Sequence, residues 1–161
     1  MSKNEILRVL SNSQVFHGLT NDELEVFSEH CQKVTFKESD TLTREGHPVS
    51  AFHVIVKGQL KVMLPQRIEG RREQRISDVK LNILGEGDCF GEYSIIDKRP
   101  ASASIIATQS GELIKIPKED FEKILMNNDR IARTVYHNML HILIRRLRKR
   151  EKEYDLILVV G

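Results

Sequence analysis

The chain has 161 residues, of which 40% are hydrophobic and 30% are charged, and its formal net charge at pH 7 is +2. This length suffices for one domain with a sizeable core, and the composition excludes a mostly disordered protein. No apolar run reaches the ~18 to 20 residues of a membrane span, and the N-terminus lacks the features of a signal peptide. We therefore expect a cytoplasmic protein without membrane contact, in which Cys31 and Cys89 are reduced thiols.

Two helices are predicted within the first thirty residues. A short helix covers Asn4 to Leu10. A second helix begins after Thr20, because Glu23 follows three positions later and the pair has the spacing of a capping box. Apolar residues follow this box, which favours a helix that packs against the rest of the domain.

Beyond Cys31 the hydrophobic pattern changes from helical to alternating. The segments KVTFK, AFHVIV, GQLKVML and, later, ELIKI alternate apolar with polar residues, as half-buried strands do. Glycines separate these segments at intervals suited to turns, and the charged segment PQRIEGRREQRISD is predicted to be a solvated hairpin tip. Several short strands between glycine turns predict a mainly β fold, either a β-roll or a sandwich.

The last third of the chain is predicted to be helical. Pro117 suits the first position of a helix through KEDFEKILM, and a longer helix begins near Asp129 and runs past Lys152. The longer helix carries an apolar stripe of Tyr136, Leu140, Leu143 and Leu147, flanked by Ile131, Val135, Met139 and Ile142. Such a face is too broad for an isolated helix in water, so this helix needs a partner.

Catalytic and metal-binding motifs are missing from the sequence. It contains no GxSxG, no Walker loop, no HExxH and no GxGxxG between a strand and a helix, so we expect no enzyme and no catalytic residue. His137 and His141 lie four residues apart on the predicted helix and could contact a metal from one face. However, Asn138 replaces the glutamate of the zinc hydrolase motif, and no third ligand is evident. We therefore expect neither a metal nor a cofactor.

The segment LGEGDCFGEYSIIDKRPASASIIA combines features that favour one chemistry. A strand ending near Phe90 is followed by Gly91, which lets a ligand approach the backbone, and by a short helix over Glu92 to Ile96. Free backbone amides at the start of a helix bind phosphate, and a carboxylate beside them suits a sugar hydroxyl. Together these groups indicate a nucleotide. Alternatively, Glu92 caps its own helix and Gly91 only makes a turn.

This segment resembles the phosphate-binding cassette of cyclic-nucleotide-binding domains, which occur in catabolite-activator-like proteins and regulatory subunits of cyclic-AMP-dependent kinases. VFHGLTNDELEVF resembles the N-terminal helical motif of the family, REGHPVSAFHVIVKGQLKV its early strands, and IPKEDFEKIL with the long helix its C-terminal lid and hinge. The resemblance implies a jelly-roll β-roll with N-terminal helices and a lid helix over residues 1–128. It also implies a long coupling or dimerisation helix and tail over 129–161, without a DNA-binding domain.

The resemblance further implies a ligand, cAMP or cGMP or another small anion-bearing molecule, and assigns residues to it. Gly91 and Glu92 would meet the ribose 2′-hydroxyl, and the backbone amides around Tyr93 and Ser94 would meet the cyclic phosphate. The remaining candidate ligand-binding residues are Phe90, Arg99, Ala101, Ser102 and Ala103.

The cassette departs from the family pattern at one position. The family arginine falls on Ala101, and Ser102 and Ala103 match the two small positions that follow. A guanidinium contributes two charge-assisted hydrogen bonds to a phosphate, each of about 1.5 to 3 kcal/mol, so its loss predicts ~100-fold weaker binding or more. Arg99 and Lys98 are the nearest cations, but Pro100 separates them from the pocket, so surface ion pairing is the alternative role for Arg99.

Three functions follow from these features. The first is a regulatory domain in which a bound cyclic nucleotide repositions the C-terminal helix. The second is a degenerate roll that binds no cyclic nucleotide and serves as a dimerisation or protein-interaction module; a homodimer through the helix after Asp129 is expected for both. The third is nucleic-acid binding by the basic run RRLRKREK, which we do not expect because no aromatic residue interleaves it.

Overall fold

A computed structural model describes residues 1–159, and the last two residues of the predicted tail lie outside the described part. The helices are α1 (Lys3–Asn12), α2 (Asn21–Ser28), α3 (Glu92–Asp97), α4 (Lys118–Asn127) and α5 (Asp129–Val159), and a 3-10 turn covers Gln14–Phe16. The strands are β1 (Gln32–Phe36), β2 (Thr41–Thr43), β3 (Ala51–Leu64), β4 (Val79–Leu84), β5 (Cys89–Phe90) and β6 (Ser104–Pro117). The fold is the predicted β-roll with flanking helices and a long C-terminal helix.

Two long strands, β3 and β6, form the centre of the sheet. They pair antiparallel, with β1 and β2 on the other edge of β6 and β4 and β5 on the other edge of β3. Their register shifts three times between Ile55 and Leu60, which lets the sheet bend into a roll. The prediction of separate strands AFHVIV and GQLKVML was wrong here, because the chain continues through Gly58 as one bulged strand.

Glycine is required where the two long strands bulge. A Cβ atom on Gly111 would lie 2.0 Å from the carbonyl oxygen of Lys57, and Gly58 has φ +97°. Neither position accepts a side chain without a shift of the backbone. These two glycines therefore help to set the bend that encloses the interior of the roll.

The hydrophobic core has two parts. The larger part packs the helices against the outside of the roll and contains a phenylalanine cluster of Phe16, Phe27, Phe52 and Phe121. The ring centroids of Phe52 and Phe121 are 4.7 Å apart, and those of Phe16 and Phe27 are 4.8 Å apart. The smaller part fills the roll with residues such as Ile55, Leu60 and Leu113. Each large apolar side chain in these clusters contributes roughly 1.5 to 3 kcal/mol by leaving water.

The predicted helix starts differ from the structure by at most one residue, at Asn4 and at Pro117. The capping box is present: Thr20 Oγ1 accepts from the Glu23 amide at 3.3 Å, and Glu23 Oε2 accepts from the Thr20 amide at 2.8 Å. Pro117 has ψ 138°, which is extended, so it precedes α4 as its N-cap instead of occupying the first helical position. The reason is that β6 runs directly into the helix, and the Lys118 amide donates to the Ser50 carbonyl at 2.9 Å.

Helix α5 docks through one face and leaves another in solvent. Ile131, Val135, Met139 and Ile142 are buried against the core. Asn138 Nδ2 fixes the same part of the helix by donating to the carbonyls of Val15 and His17 at 3.0 and 2.8 Å. No helix within residues 1–159 is long and apolar enough to cross a bilayer.

The charged connection between β3 and β4 is mostly exposed, as predicted, with one exception. Arg75 donates to both carboxylate oxygens of Glu45, at 2.9 and 2.7 Å, and to the carbonyl of Pro65 at 2.8 Å. Its side chain is 24% exposed. This bidentate pair attaches the connection to the roll.

Replacing Phe121 with alanine removes the central ring of the aromatic cluster and should lower the free energy of unfolding by about 3 to 5 kcal/mol. Met126 on the same helix is 81% exposed, so Met126→Ala serves as the matched control. Urea unfolding followed by circular dichroism measures both. Equal losses for the two variants would contradict the core assigned here.

Candidate functional site

A cavity of about 620 Å³ lies between the roll and helix α5. Apolar side chains of the roll, including Val62, Leu64 and Ile105, form its floor. Its edge is formed by the predicted cassette residues Phe90, Gly91, Glu92, Tyr93, Ser94, Ala101, Ser102 and Ala103. The α5 residues on the opposite side are Arg146, Lys149, Arg150, Glu153 and Tyr154. The structure thus brings these cassette residues together around one space, and their contact with a ligand stays a prediction.

Gly91 allows the turn between β5 and α3. Its φ is +94°, and a Cβ atom there would lie 2.5 Å from the Ala51 carbonyl oxygen. Besides the predicted approach of a ligand, glycine is needed here by the fold itself, since any side chain would collide with β3. The short helix that follows, α3, runs from Glu92 to Asp97 and confirms the predicted turn of helix.

Glu92 is the buried acid of the site, and its partner comes from the C-terminal helix. Its residue exposure is 3%, and its carboxylate accepts a hydrogen bond from Arg146 Nη1. Arg146 Nη2 donates to the Cys89 carbonyl oxygen at 2.8 Å, so one guanidinium joins two points of the cassette. Burial raises the pKa of the Glu92 carboxyl above its ordinary 4.5, and the charge of Arg146 opposes this rise.

The cations that precede Pro100 do not line the cavity in residues 1–159. Lys98 forms an ion pair with Glu122 on α4. The Arg99 amide donates to Asp97 Oδ1 at 2.9 Å, and its side chain is exposed. The role of Arg99 as a ligand residue therefore stays a prediction, without support from its position.

Ala101 is fixed by its backbone at the cavity wall. Its amide donates to the His47 carbonyl at 2.9 Å, and its carbonyl accepts from the Gly46 amide at 2.8 Å. These bonds attach the segment before β6 to the connection between β2 and β3. The side chain that Ala101 contributes to the wall is a methyl group.

Sequence reasoning missed the contribution of α5 to the cavity. Arg146, Lys149 and Arg150 were interpreted as part of a basic run, and all three line the cavity. Their spacing of three and four residues places them on one helix face, which is the signal that could have found them. The contact of Arg146 with Glu92 could not be predicted from the sequence, because the two residues lie 54 positions apart.

The histidines show no metal site in the described part of the chain. The rings of His137 and His141 are 4.5 Å apart, and residues 1–159 contain no cluster of three potential ligands. His53 stacks on Phe90 with ring centroids 4.4 Å apart and an interplanar angle of 11°. Burial, with a contribution from Lys115, lowers the pKa of His53 to about 4. This neutral ring supports Phe90 at the edge of the cavity.

The geometry agrees with comparisons to known proteins. Residues 33–128 match the sequence model of the family described as the cyclic nucleotide-binding domain. The chain belongs to this family. The match covers the roll, the cassette and α4, and it ends before α5 begins.

Two relatives and one solved structure are similar to the chain. The chain is 28% identical to the cyclic AMP receptor protein of Thermus thermophilus, over 92% of this chain and 63% of that protein. It is 31% identical to the cGMP-dependent protein kinase egl-4 of Caenorhabditis briggsae, over 80% of this chain and 17% of the kinase. A crystal structure of a cyclic nucleotide-binding domain from Methylobacillus flagellatus shares the fold with a TM-score of 0.75 and 24% identity, over 99% of this chain and 85% of that one. The chain thus spans less than two thirds of either curated relative.

Replacing Arg146 with glutamine should destabilise the protein in a pH-dependent way. At neutral pH the variant leaves the Glu92 carboxylate buried without a cation, which costs about 3 to 5 kcal/mol. Burial places the folded pKa of Glu92 above its unfolded value, so this penalty is absent at low pH and grows as pH rises through the folded pKa.

Urea unfolding of Arg146→Gln at about pH 4 and about pH 8 checks this pH dependence. The loss of unfolding free energy relative to wild type should be larger at the higher pH. Arg148→Gln on the same helix removes the same charge at an exposed position and is the control. An equal loss for Arg146→Gln at both pH values would contradict the role of the pair.

Proposed function

We propose that this chain is a regulatory, non-catalytic domain that senses cAMP, cGMP or a related small anion in the cavity and signals through α5. Residues 1–128 form the sensing part, and residues 129–161 form the coupling part. The observation that carries the proposal is the position of the cavity between the cassette and α5. A ligand there contacts both parts of the chain at once.

The chemistry of the cassette suits a cyclic nucleotide. Tyr93 and Ser94 lie in the first turn of α3, where backbone amides are available to an anion, and Ser102 lines the same cavity. The apolar floor offers a surface for the base. The names of the relatives include both a cyclic AMP receptor and a cGMP-dependent kinase, so both nucleotides are candidates.

Coupling to α5 follows from competition for Glu92. In the structure this carboxylate accepts from Arg146, and a ribose 2′-hydroxyl would donate to the same group. A ligand that changes the partner of Glu92 changes the free energy of the α5 position, which is the requirement for signalling. The cassette residues and the helix are then two halves of one binding site.

Titration with cAMP and with cGMP by calorimetry tests the function directly, and we expect saturable binding of at least one of them. Gly91→Ala should abolish this binding, because the added Cβ would lie 2.5 Å from the Ala51 carbonyl oxygen. Gly85→Ala is the control, since its Cβ would meet nothing within 4 Å. No heat and no thermal shift from either nucleotide at millimolar concentration would refute the proposal and leave the role of an interaction module.

We also propose that the chain forms a homodimer through α5. Tyr136, Leu140, Ile144 and Leu147 remain 46%, 56%, 42% and 58% exposed, although they lie on a helix whose other face is packed. Exposed apolar residues repeated along a helix at spacings of three and four indicate a partner helix. A second copy of α5 presents a matching stripe.

Analytical ultracentrifugation should show a dimer at micromolar concentration without added nucleotide. Replacing Leu140 and Leu147 with glutamine should shift the equilibrium toward monomer, because both side chains lie in the exposed stripe. Met126→Gln makes the same kind of apolar-to-polar change at an 81% exposed position of α4 and is the control. A monomeric wild-type chain would remove the support for this interface.

A further inference from the structure

The wall of the cavity has an uneven distribution of charge. Among the lining residues contributed by the roll and the cassette, Glu92 carries the only charged side chain. All cations that line the cavity within residues 1–159 belong to α5, namely Arg146, Lys149 and Arg150. Without this helix, the roll would present a carboxylate and no cation to an anionic ligand.

No cation of the cassette lines the cavity within residues 1–159. Ala101 contributes a methyl group where the family pattern has arginine, and its backbone bonds hold it at the wall. Lys98 is paired with Glu122, and Arg99 lies outside the lining residues. Among the lining residues within 1–159, an anionic ligand would therefore meet counter-charge only from α5.

The three α5 cations differ in availability. Arg146 is held by Glu92 and by the Cys89 carbonyl. Lys149 makes one long contact, 3.3 Å from its Nζ to Asn82 Oδ1. Arg150 is exposed, and within residues 1–159 its side chain makes neither a hydrogen bond nor an ion pair. Lys149 and Arg150 are thus the cations that a phosphate can recruit without drawing Arg146 away from the Cys89 carbonyl.

We propose that Lys149 and Arg150 of α5 replace the missing cassette arginine as the phosphate partners of the ligand. This inference rests on the proposed function and specifies how the same site holds an anion. The lining side chains contain three cations and two acids, Glu92 and Glu153, so a net charge of +1 faces the cavity. That value matches the single negative charge of a cyclic phosphate diester. Binding then attracts α5 toward the cassette, and affinity depends on the helix position.

The test is the affinity of the Lys149→Gln, Arg150→Gln double variant for cAMP and cGMP, measured by calorimetry on the full chain. We expect at least ~10-fold weaker binding, the effect of losing one or more charge-assisted hydrogen bonds, and a shallower salt dependence than in wild type. Arg148→Gln is the matched control, because Arg148 lies on the same helix but lines a different groove, with His141 and Arg145. Thermal unfolding verifies that each variant is folded.

Ala101→Arg in the double-variant background provides the rescue. A cassette guanidinium should restore binding and make it insensitive to residues 149 and 150. If wild type binds a nucleotide and the double variant binds it as tightly as Arg148→Gln does, this inference is overturned while the proposed function stands. If wild type binds neither nucleotide, the proposed function fails and the inference fails with it. This holds even if the single variant Ala101→Arg binds a nucleotide that wild type does not.

Discussion

The antiparallel pairing of β3 with β6 is the interaction on which the other parts of this molecule depend. It aligns Ala51 with Pro117 and Met63 with Ser104, so both ends of β6 are positioned by one strand. The cassette enters β6 at one end, and α4 and α5 leave from the other. Gly91 contacts Ala51 at the same end of β3. Sheet pairing thus brings two segments that are distant in sequence to one cavity.

Features that depend on local patterns of residues could be predicted from the sequence. Alternating apolar residues indicated the strands, the Thr20 capping box located α2, and the Phe90 to Ala103 pattern indicated the family. Contacts between distant segments were not predictable from one sequence. The Glu92–Arg146 pair depends on how α5 crosses the roll, and the continuity of β3 through Gly58 depends on bulges that only pairing with β6 reveals.

A buried ion pair is a weak source of net stability, because desolvation of both charges offsets much of their attraction. The Glu92–Arg146 pair is better understood as a specific but exchangeable contact. It satisfies the buried carboxylate and fixes α5 at one place along the cassette. Under the proposed function, a group that offers Glu92 another hydrogen bond would act on the helix without any change in the core of the roll.

Helix α5 presents two faces. One is buried on the core as far as Ile142 and, further along the helix, lines the cavity with Arg146, Lys149 and Arg150, whereas the other exposes the stripe that includes Leu140 and Leu147. These faces belong to one rod, so a rotation of α5 about its own axis turns the cations and the stripe through the same angle. Binding of an anion within one chain and pairing of two chains would then both depend on the rotation of α5.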